Sequence, residues 1–230
     1  MGVSRTIGRT LAPRLAPRVA ELAPGLTSSF VRESLQRAIS GGGPFPAAAD
    51  AAAKQLREQD GDVDRAVHEI IENHVRYAGA QGFVTNLGGL VTMAVLVPAN
   101  ITGLAVVQFR MVAAIAHLRG YDLDDPRVRN AVLVTVLGED AVAALVKRKK
   151  LPAPPMALAT APMHDAAIDA IVSAEVATDL IARVAGKRLA TQIGRRVPVV
   201  GGLVGLGADG FVTWKIGRYA DRELLARPKH

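Results

Sequence analysis

From Tyr77 to Phe109 the chain carries no Asp, Glu, Lys, Arg or His. No other feature limits the fold as strongly, because a stretch this long without charge must be hidden from water. Gly79, Gly82, Gly88 and Gly89 lie in its first half, followed by Leu90-Val91-Thr92-Met93-Ala94-Val95-Leu96-Val97. Pro98 interrupts, and an apolar helical pattern resumes from Ile101 to Leu118. A helix needs roughly 20 apolar residues to cross a bilayer, and each half approaches that length. The expected break is therefore at Pro98-Ala99-Asn100. Two architectures satisfy the pattern: a pair of close antiparallel helices dipping into a bilayer, or a hairpin buried in a soluble bundle.

A second segment has the same character. Val197-Pro198-Val199-Val200 leads into Gly201-Gly202-Leu203-Val204-Gly205-Leu206-Gly207, and the tetrapeptide Gly201 to Val204 repeats Gly88 to Val91. Small residues let helix backbones approach closely, which inside lipid substitutes for the missing hydrophobic drive. In an aqueous helix each glycine costs about 0.5–1 kcal/mol relative to Ala. Gly82, Gly88, Gly89, Gly103, Gly201, Gly202 and Gly205 are thus the candidate membrane or packing contacts. Tight packing in a soluble core is the alternative reading of the same residues.

Half the residues are hydrophobic and only 4% aromatic, with a mean hydropathy of +0.22. The apolar surplus is Ala, Val, Leu and Ile, and Ala, Leu and Arg are strong helix formers. The expected fold class is all-α, a compact helical bundle with two glycine-rich apolar helical segments. Shortage of aromatic platforms argues against stacking on nucleic-acid bases. The formal charge of +7 is assigned to anionic lipid headgroups instead, because the basic residues cluster beside the apolar segments. Absence of cysteine excludes disulfides, Cys-based zinc sites and thiol catalysis.

Residues 1–27 read as a basic, flexible arm, with Arg5, Arg9, Arg14 and Arg18 ahead of the first acid, Glu21. Pro13, Pro17 and Pro24 interrupt it, and it lacks the apolar run of an export signal, so a cytoplasmic-side location is expected. Residues 28–230 read as one helical domain. Short helices are expected over Ser28 to Ser40 and Pro46 to Gln59, and an amphipathic one over Asp62 to Ala78, with Asp62 as N-cap. Asp125-Pro126 opens the next helix with a capping acid and a proline at the first helical position. A further helix runs to the basic string Lys147-Arg148-Lys149-Lys150. Pro152, Pro154, Pro155 and Pro162 mark 151–162 as a linker. His164 to Arg196 returns to helix, with Glu175, Asp179 and Arg183 as a solvated ladder.

Several residues are of a type that could carry chemistry. His68 and Glu72 are four apart with His74 beyond them, but the string is not H-E-x-x-H and two ligands leave a metal site open; a solvated pair is expected, with His74 bordering the core. Asp122, Asp124 and Asp125 lack the glycine and terminal glutamate of a calcium loop and read as a turn and a cap. Gly201 to Gly207 lacks the Gly-Lys-Ser/Thr of a phosphate loop, and no serine has a nucleophile-elbow setting. No catalytic residue, metal or cofactor is assigned. Lys147, Arg148, Lys149, Lys150, Arg195 and Arg196 flank apolar segments and read as lipid-facing cations. Arg110, isolated in an apolar helix, requires a partner, and Asp209 is the candidate.

A family resemblance adds to this. The run from Gly82-Phe83-Val84-Thr85 through Gly88-Gly89-Leu90 and Pro98-Ala99 to Gln108-Phe109-Arg110-Met111-Val112-Ala113-Ala114-Ile115-Ala116, then Gly120-Tyr121-Asp122-Leu123-Asp124-Asp125-Pro126-Arg127-Val128-Arg129, resembles the core of the EcsC family. The segment Val197 to Gly205 followed by Gly217-Arg218-Tyr219-Ala220 is similar to that family's closing part. The resemblance implies a bacterial, membrane-associated protein in the company of an ABC transporter, and it supplies no catalytic residues. The expected function is that of a non-enzymatic accessory or interaction protein near a transporter or lipid surface, peripheral or monotopic on the cytoplasmic side. A soluble carrier of lipid or another apolar ligand, or an enzyme acting at the bilayer surface, are the alternatives.

Overall fold

The computed structural model describes residues 27–42, 46–87, 89–193 and 198–227. Gly88, Arg195, Arg196 and nearly all of the basic N-terminal arm lie outside the described residues. Within them the chain is all-α. The helices are α1 (Ser28–Ser40), α2 (Ala48–Glu58), α3 (Val63–Leu87), α4 (Gly89–Leu118), α5 (Pro126–Val136), α6 (Glu139–Lys147), α7 (Pro155–Ala159), α8 (Ala166–Ile193) and α9 (Pro198–Glu223).

Helix starts follow local chemistry. The Thr27 hydroxyl accepts from the Phe30 amide at 3.2 Å, Asp62 accepts from Arg65 at 3.0 Å, and Asp125 accepts from Arg127 at 2.8 Å with Pro126 behind it. Each satisfies an orphan donor of the first turn. The turn after α4 depends on Gly120, whose φ of +86° suits glycine and whose added Cβ would meet the Arg227 carbonyl oxygen at 3.2 Å. The C-terminal tail straps this turn: Arg227 N–H donates to the Arg119 carbonyl at 2.8 Å, and Tyr121 Oη donates to the Leu225 carbonyl at 3.0 Å.

α4 forms the axis of the core. Phe109, Met111, Val112, Ala113, Ala114, Ile115 and Ala116 are all buried, so this part of the helix is covered on every side, as expected for one that is apolar all round. Ile70 and Ile71 of α3, Leu133 of α5 and Leu180 of α8 pack into the same core. α1 contributes Val31, Leu35, Ala38 and Ile39.

Contacts fix the helix directions. Arg119, just past the end of α4, pairs with Asp64 near the start of α3 at 2.8 Å and with Asp221 near the end of α9 at 2.7 Å. Gly210 of α9 lies against Val75 of α3, while Gly217 lies against Ile71. α3 therefore runs antiparallel to both α4 and α9. Consequently the reversal from α3 to α4 and the reversal from α8 to α9 fall at the same end of the bundle. About a dozen residues separate Val75 from Leu87 and Gly210 from Pro198. At 1.5 Å per residue each end extends about 18 Å beyond the contact between Val75 and Gly210.

Two expectations are corrected here. α4 runs unbroken from Gly89 to Leu118 through Pro98, and the chain reverses between Leu87 and Gly89 instead. A proline inside a helix removes one amide donor, whereas the paired glycines weaken helical continuity over successive residues. Residues 151–162, expected as a linker, pack into the bundle: Leu151, Pro155, Leu158 and Ala159 are buried, and the Met156 amide donates to Glu223 Oε1 at 3.2 Å. Proline here opens a short helix rather than separating two bodies.

The glycines of α9 differ in a testable way. A Cβ at Gly217 would come within 2.9 Å of both γ carbons of Ile71 and 3.2 Å of the Met111 sulfur. Ile71 is β-branched and stiff at χ1, so it does not yield easily. At Gly210 the nearest atoms, in Val75, are 3.6 Å away, an ordinary contact. Gly217→Ala should destabilise by about 1–2 kcal/mol, overpacking outweighing the gain in helix propensity, and lower Tm by several degrees. Gly210→Ala should leave Tm unchanged or raise it. Thermal unfolding followed by circular dichroism distinguishes the two, and equal shifts would refute the close approach at Gly217.

Candidate functional site

Where the charge-free stretch ends, a buried polar layer begins. Gln108 is fully buried on α4. Its Nε2 donates to Thr213 Oγ1 of α9 at 3.1 Å, and its Oε1 accepts from Arg183 Nη1 of α8 at 3.0 Å. Arg183 also donates from Nη2 to the Val136 carbonyl of α5 at 3.0 Å and pairs through Nε with Asp179 at 2.7 Å. One amide thus joins α4, α8 and α9, and Arg183 extends the linkage to α5. Burial pushes the Asp179 carboxyl above its ordinary range, and Arg183 opposes that rise. The expected solvated ladder is corrected by this geometry: Arg183 turns inward to Gln108, and Glu175 pairs with Lys150 at 3.0 Å.

Two residues on, and so on nearly the opposite face of α4, lies Arg110, 7% exposed. With His74 and Tyr77 of α3 and Val106 and Val107 of α4 it lines a shallow cleft. The His74 ring is buried, and its Nδ1 lies 2.7 Å from the Ile70 carbonyl oxygen, so a neutral ring there carries its proton on Nδ1. Burial, partly opposed by that hydrogen bond and reinforced by the Arg110 charge, lowers its pKa from 6.5 to about 4. Burial also lowers the pKa of Arg110, with Tyr77 acting the other way. Tyr77 meets His74 edge-on at 6.3 Å between centroids and is 57% exposed. Asp209, the expected partner of Arg110, is also buried.

To either side of Thr213 in the sequence α9 exposes two aromatics. Phe211 and Trp214 are 60% and 42% exposed and stack at 6.1 Å with their planes 18° apart. Exposed Gly207 lies four residues before Phe211 and half-buried Arg218 four beyond Trp214, so they share one helical face; Arg218 pairs with Asp221 at 3.3 Å. Tyr77, Phe211 and Trp214 thus border the base of the two helical ends.

The candidate glycines fall mainly on those ends. Gly82 lies in α3, Gly89 and Gly103 in α4, and Gly201, Gly202 and Gly205 in α9. The basic string lies elsewhere. Lys147, Arg148, Lys149 and Lys150 are exposed at the end of α6, and Lys150 is tied to Glu175, which precedes the end of α8 by about 27 Å of helix. A second polar cluster ties α1 to α5 and α8. Arg32 donates to Ser173 Oγ at 2.8 Å, Asn130 Oδ1 at 3.1 Å and the Asp169 carbonyl at 2.6 Å, while Asn130 Nδ2 and His164 Nε2 meet Asp169 Oδ1 at 2.7 and 2.9 Å. Burial raises the Asp169 pKa, but His164, Asn130 and Arg32 outweigh it and hold the carboxyl below its ordinary range. Ser173 donates to the Asp169 carbonyl at 2.7 Å rather than to His164, so the cluster lacks the serine-to-base hydrogen bond of a nucleophilic triad.

Among the described residues no group of His, Asp and Glu is placed to hold a metal ion. His68 is exposed while His74 is buried. Asp122 caps the turn by accepting from the Asp124 amide at 2.9 Å, and Asp124 pairs with Arg129 at 3.2 Å. Among the described residues no helix is long and apolar enough to cross a membrane.

The EcsC protein family model matches residues 47–227. The chain belongs to the EcsC family. No curated protein and no solved structure matches it. The EcsC region begins one residue before α2 and ends in the tail that straps the Gly120 turn, so it contains both helical ends and the whole Gln108 layer. α1 lies outside it, yet supplies core residues and Arg32.

The buried histidine gives a pH signature. Below 6.5 the unfolded chain takes up a proton that the native ring refuses, so His74 makes stability fall as pH drops from about 6.5 toward 4. The difference amounts to about 3 kcal/mol. Urea denaturation at pH 7.0, 5.5 and 4.5 should show this loss, and His74→Gln should flatten it. A wild-type stability unchanged between pH 7.0 and 4.5 would contradict the burial of a neutral ring.

Proposed function

We propose that this EcsC protein is a non-enzymatic, monotopic membrane-surface protein that enters one leaflet with the end of the bundle formed by the α3–α4 and α8–α9 reversals. The supporting observation is the exposed aromatic border of Tyr77, Phe211 and Trp214 at the base of a chain segment without charge from Tyr77 to Phe109. Aromatic rings with an apolar body and a polar edge favour the level of lipid headgroups. An end reaching about 18 Å beyond that border would pass the headgroups and enter the acyl boundary without crossing a hydrocarbon core of about 30 Å.

The two ends differ in depth. The α3–α4 end carries no charge and goes deeper. In the sequence Lys187, Arg188, Arg195 and Arg196 flank the join between α8 and α9, and a Lys or Arg costs about 2.5–3.5 kcal/mol at the bilayer centre. That cost favours headgroup depth for this part of the chain. The string Lys147 to Lys150, on the flank of the bundle, is a secondary electrostatic contact. An accessory role beside a transporter, on the cytoplasmic side, rests on the family alone.

Fractionation of cells expressing the protein tests this reading. The protein should pellet with membranes and stay there through a high-salt wash and then alkaline carbonate. The double substitution Phe211→Ser, Trp214→Ser removes burial worth about 1.5–3 kcal/mol per aromatic ring and should shift a clear fraction into the wash. Release of the wild type by salt alone would leave only the basic residues as anchor. Recovery in the soluble fraction from the start would overturn the proposal and favour a soluble carrier.

A further inference from the structure

We infer that the outer face of α8 is covered by the chain's own N-terminal arm, residues 1–26, an inference independent of the membrane-surface reading. A helix face turned to water ordinarily carries charge. Between Ala166 and Ala182 the exposed residues of α8 are Ala, Ile and Thr only. Ala170, Ala174, Thr178 and Ala182 follow one another at intervals of four and so lie along one side of the helix, with Ile171 beside them, 41% exposed. The three acids of this stretch are engaged at its edges: Asp169 by Arg32 and His164, Glu175 by Lys150 and Asp179 by Arg183. Thr178, the polar residue of the face, donates its hydroxyl to the Ala174 carbonyl at 2.8 Å. The face therefore offers water neither a charge nor a free hydroxyl proton over about 24 Å of helix.

Length and point of departure name the occupant. Of the segments outside the described residues, all but 1–26 have four residues or fewer, which fully extended span at most about 14 Å. Only the arm is long enough to line the face, and it joins α1 beside it. Arg32, near the start of α1, donates to Ser173 Oγ at 2.8 Å and to the Asp169 carbonyl at 2.6 Å. Each of those residues is followed in the sequence by a member of the face, Ala174 and Ala170. Docking of the arm thus continues a contact that α1 already makes with α8. The arm's sequence fits the task. Ile7, Leu11, Leu15, Val19, Leu22 and Leu26 recur every three or four residues, large apolar side chains to set against small ones. Its arginines fall between them in the sequence and are free to remain in water. Pro13, Pro17 and Pro24 each fix one φ, which lowers the entropy lost on docking.

The chain has no cysteine, so a single introduced thiol reports on the face. Ala174→Cys and His68→Cys, the latter exposed on α3, are each made in the full chain and labelled with a water-soluble maleimide. Each rate is divided by that of the same variant unfolded in urea, which removes differences in intrinsic reactivity. Ala174→Cys should react at least about tenfold more slowly than His68→Cys, as a group does when it is reached only while its cover is open. Adding Leu11→Ser, Leu15→Ser and Val19→Ser, which change the arm alone, should bring the two rates to within about twofold of each other. Equal rates with the arm unaltered would overturn the inference. Slow labelling of Ala174→Cys that survives the arm substitutions would overturn it as well, and a rate that rises on dilution would do so in favour of a second copy of the chain.

Discussion

The amide of Gln108 carries a disproportionate share of this architecture. It is wholly buried in a core of small aliphatic side chains, where an unmet polar group costs about 1–3 kcal/mol. Both ends are met, by Thr213 and by Arg183, and through Arg183 the linkage extends to Asp179 and the Val136 carbonyl. Alanine, valine and leucine pack well in many registers. A hydrogen-bonded set of this kind is satisfied in only one, so it fixes how α4, α5, α8 and α9 stand relative to one another. Because Gln108 lies at the edge of the charge-free stretch, it also sets the level from which both helical ends extend.

Close approach of α9 to α3 supplies the second constraint. With 4% aromatic residues there are few large side chains to fill gaps, so backbones must come together. Gly217 against Ile71 and Met111, and Gly210 against Val75, permit that. The ion pairs of Arg119 with Asp64 and Asp221 close the opposite end of the bundle. One end is therefore pinned by charge and strapped by the C-terminal tail. The other consists of long, uncharged or glycine-rich helix. Such polarity along the bundle axis is the physical basis of the proposal that the ends meet a lipid surface.

Much of this was legible in the sequence, and the rest was not for identifiable reasons. Helical periodicity and capping residues placed most helices, and Asp62, Asp125 and Pro126 act as their chemistry dictates. The ordered residues from Gly82 to Arg129 pointed to the EcsC family. Pro98 and the prolines of 151–162 misled, because a proline's local cost is outweighed when neighbouring turns remain bonded or when it opens a helix. Gln108, Thr213, Arg32 and Asn130 carried no sequence signal, since their partners lie on helices distant in the chain. The aromatic face was within reach: Phe211 and Trp214 are three apart, with Gly207 and Arg218 four residues to either side. Only the fold shows that this face is exposed and that Tyr77 borders the same layer.

Trp214 is the only tryptophan in the chain, so its fluorescence reports the aromatic border directly. On mixing with vesicles containing anionic lipid, its emission should shift to the blue, and lipids brominated near the headgroup end of the acyl chain should quench it more strongly than lipids brominated near the chain end. Emission that stays unchanged while the protein floats with the vesicles would mean that another surface binds them, and would contradict the orientation on which the account rests.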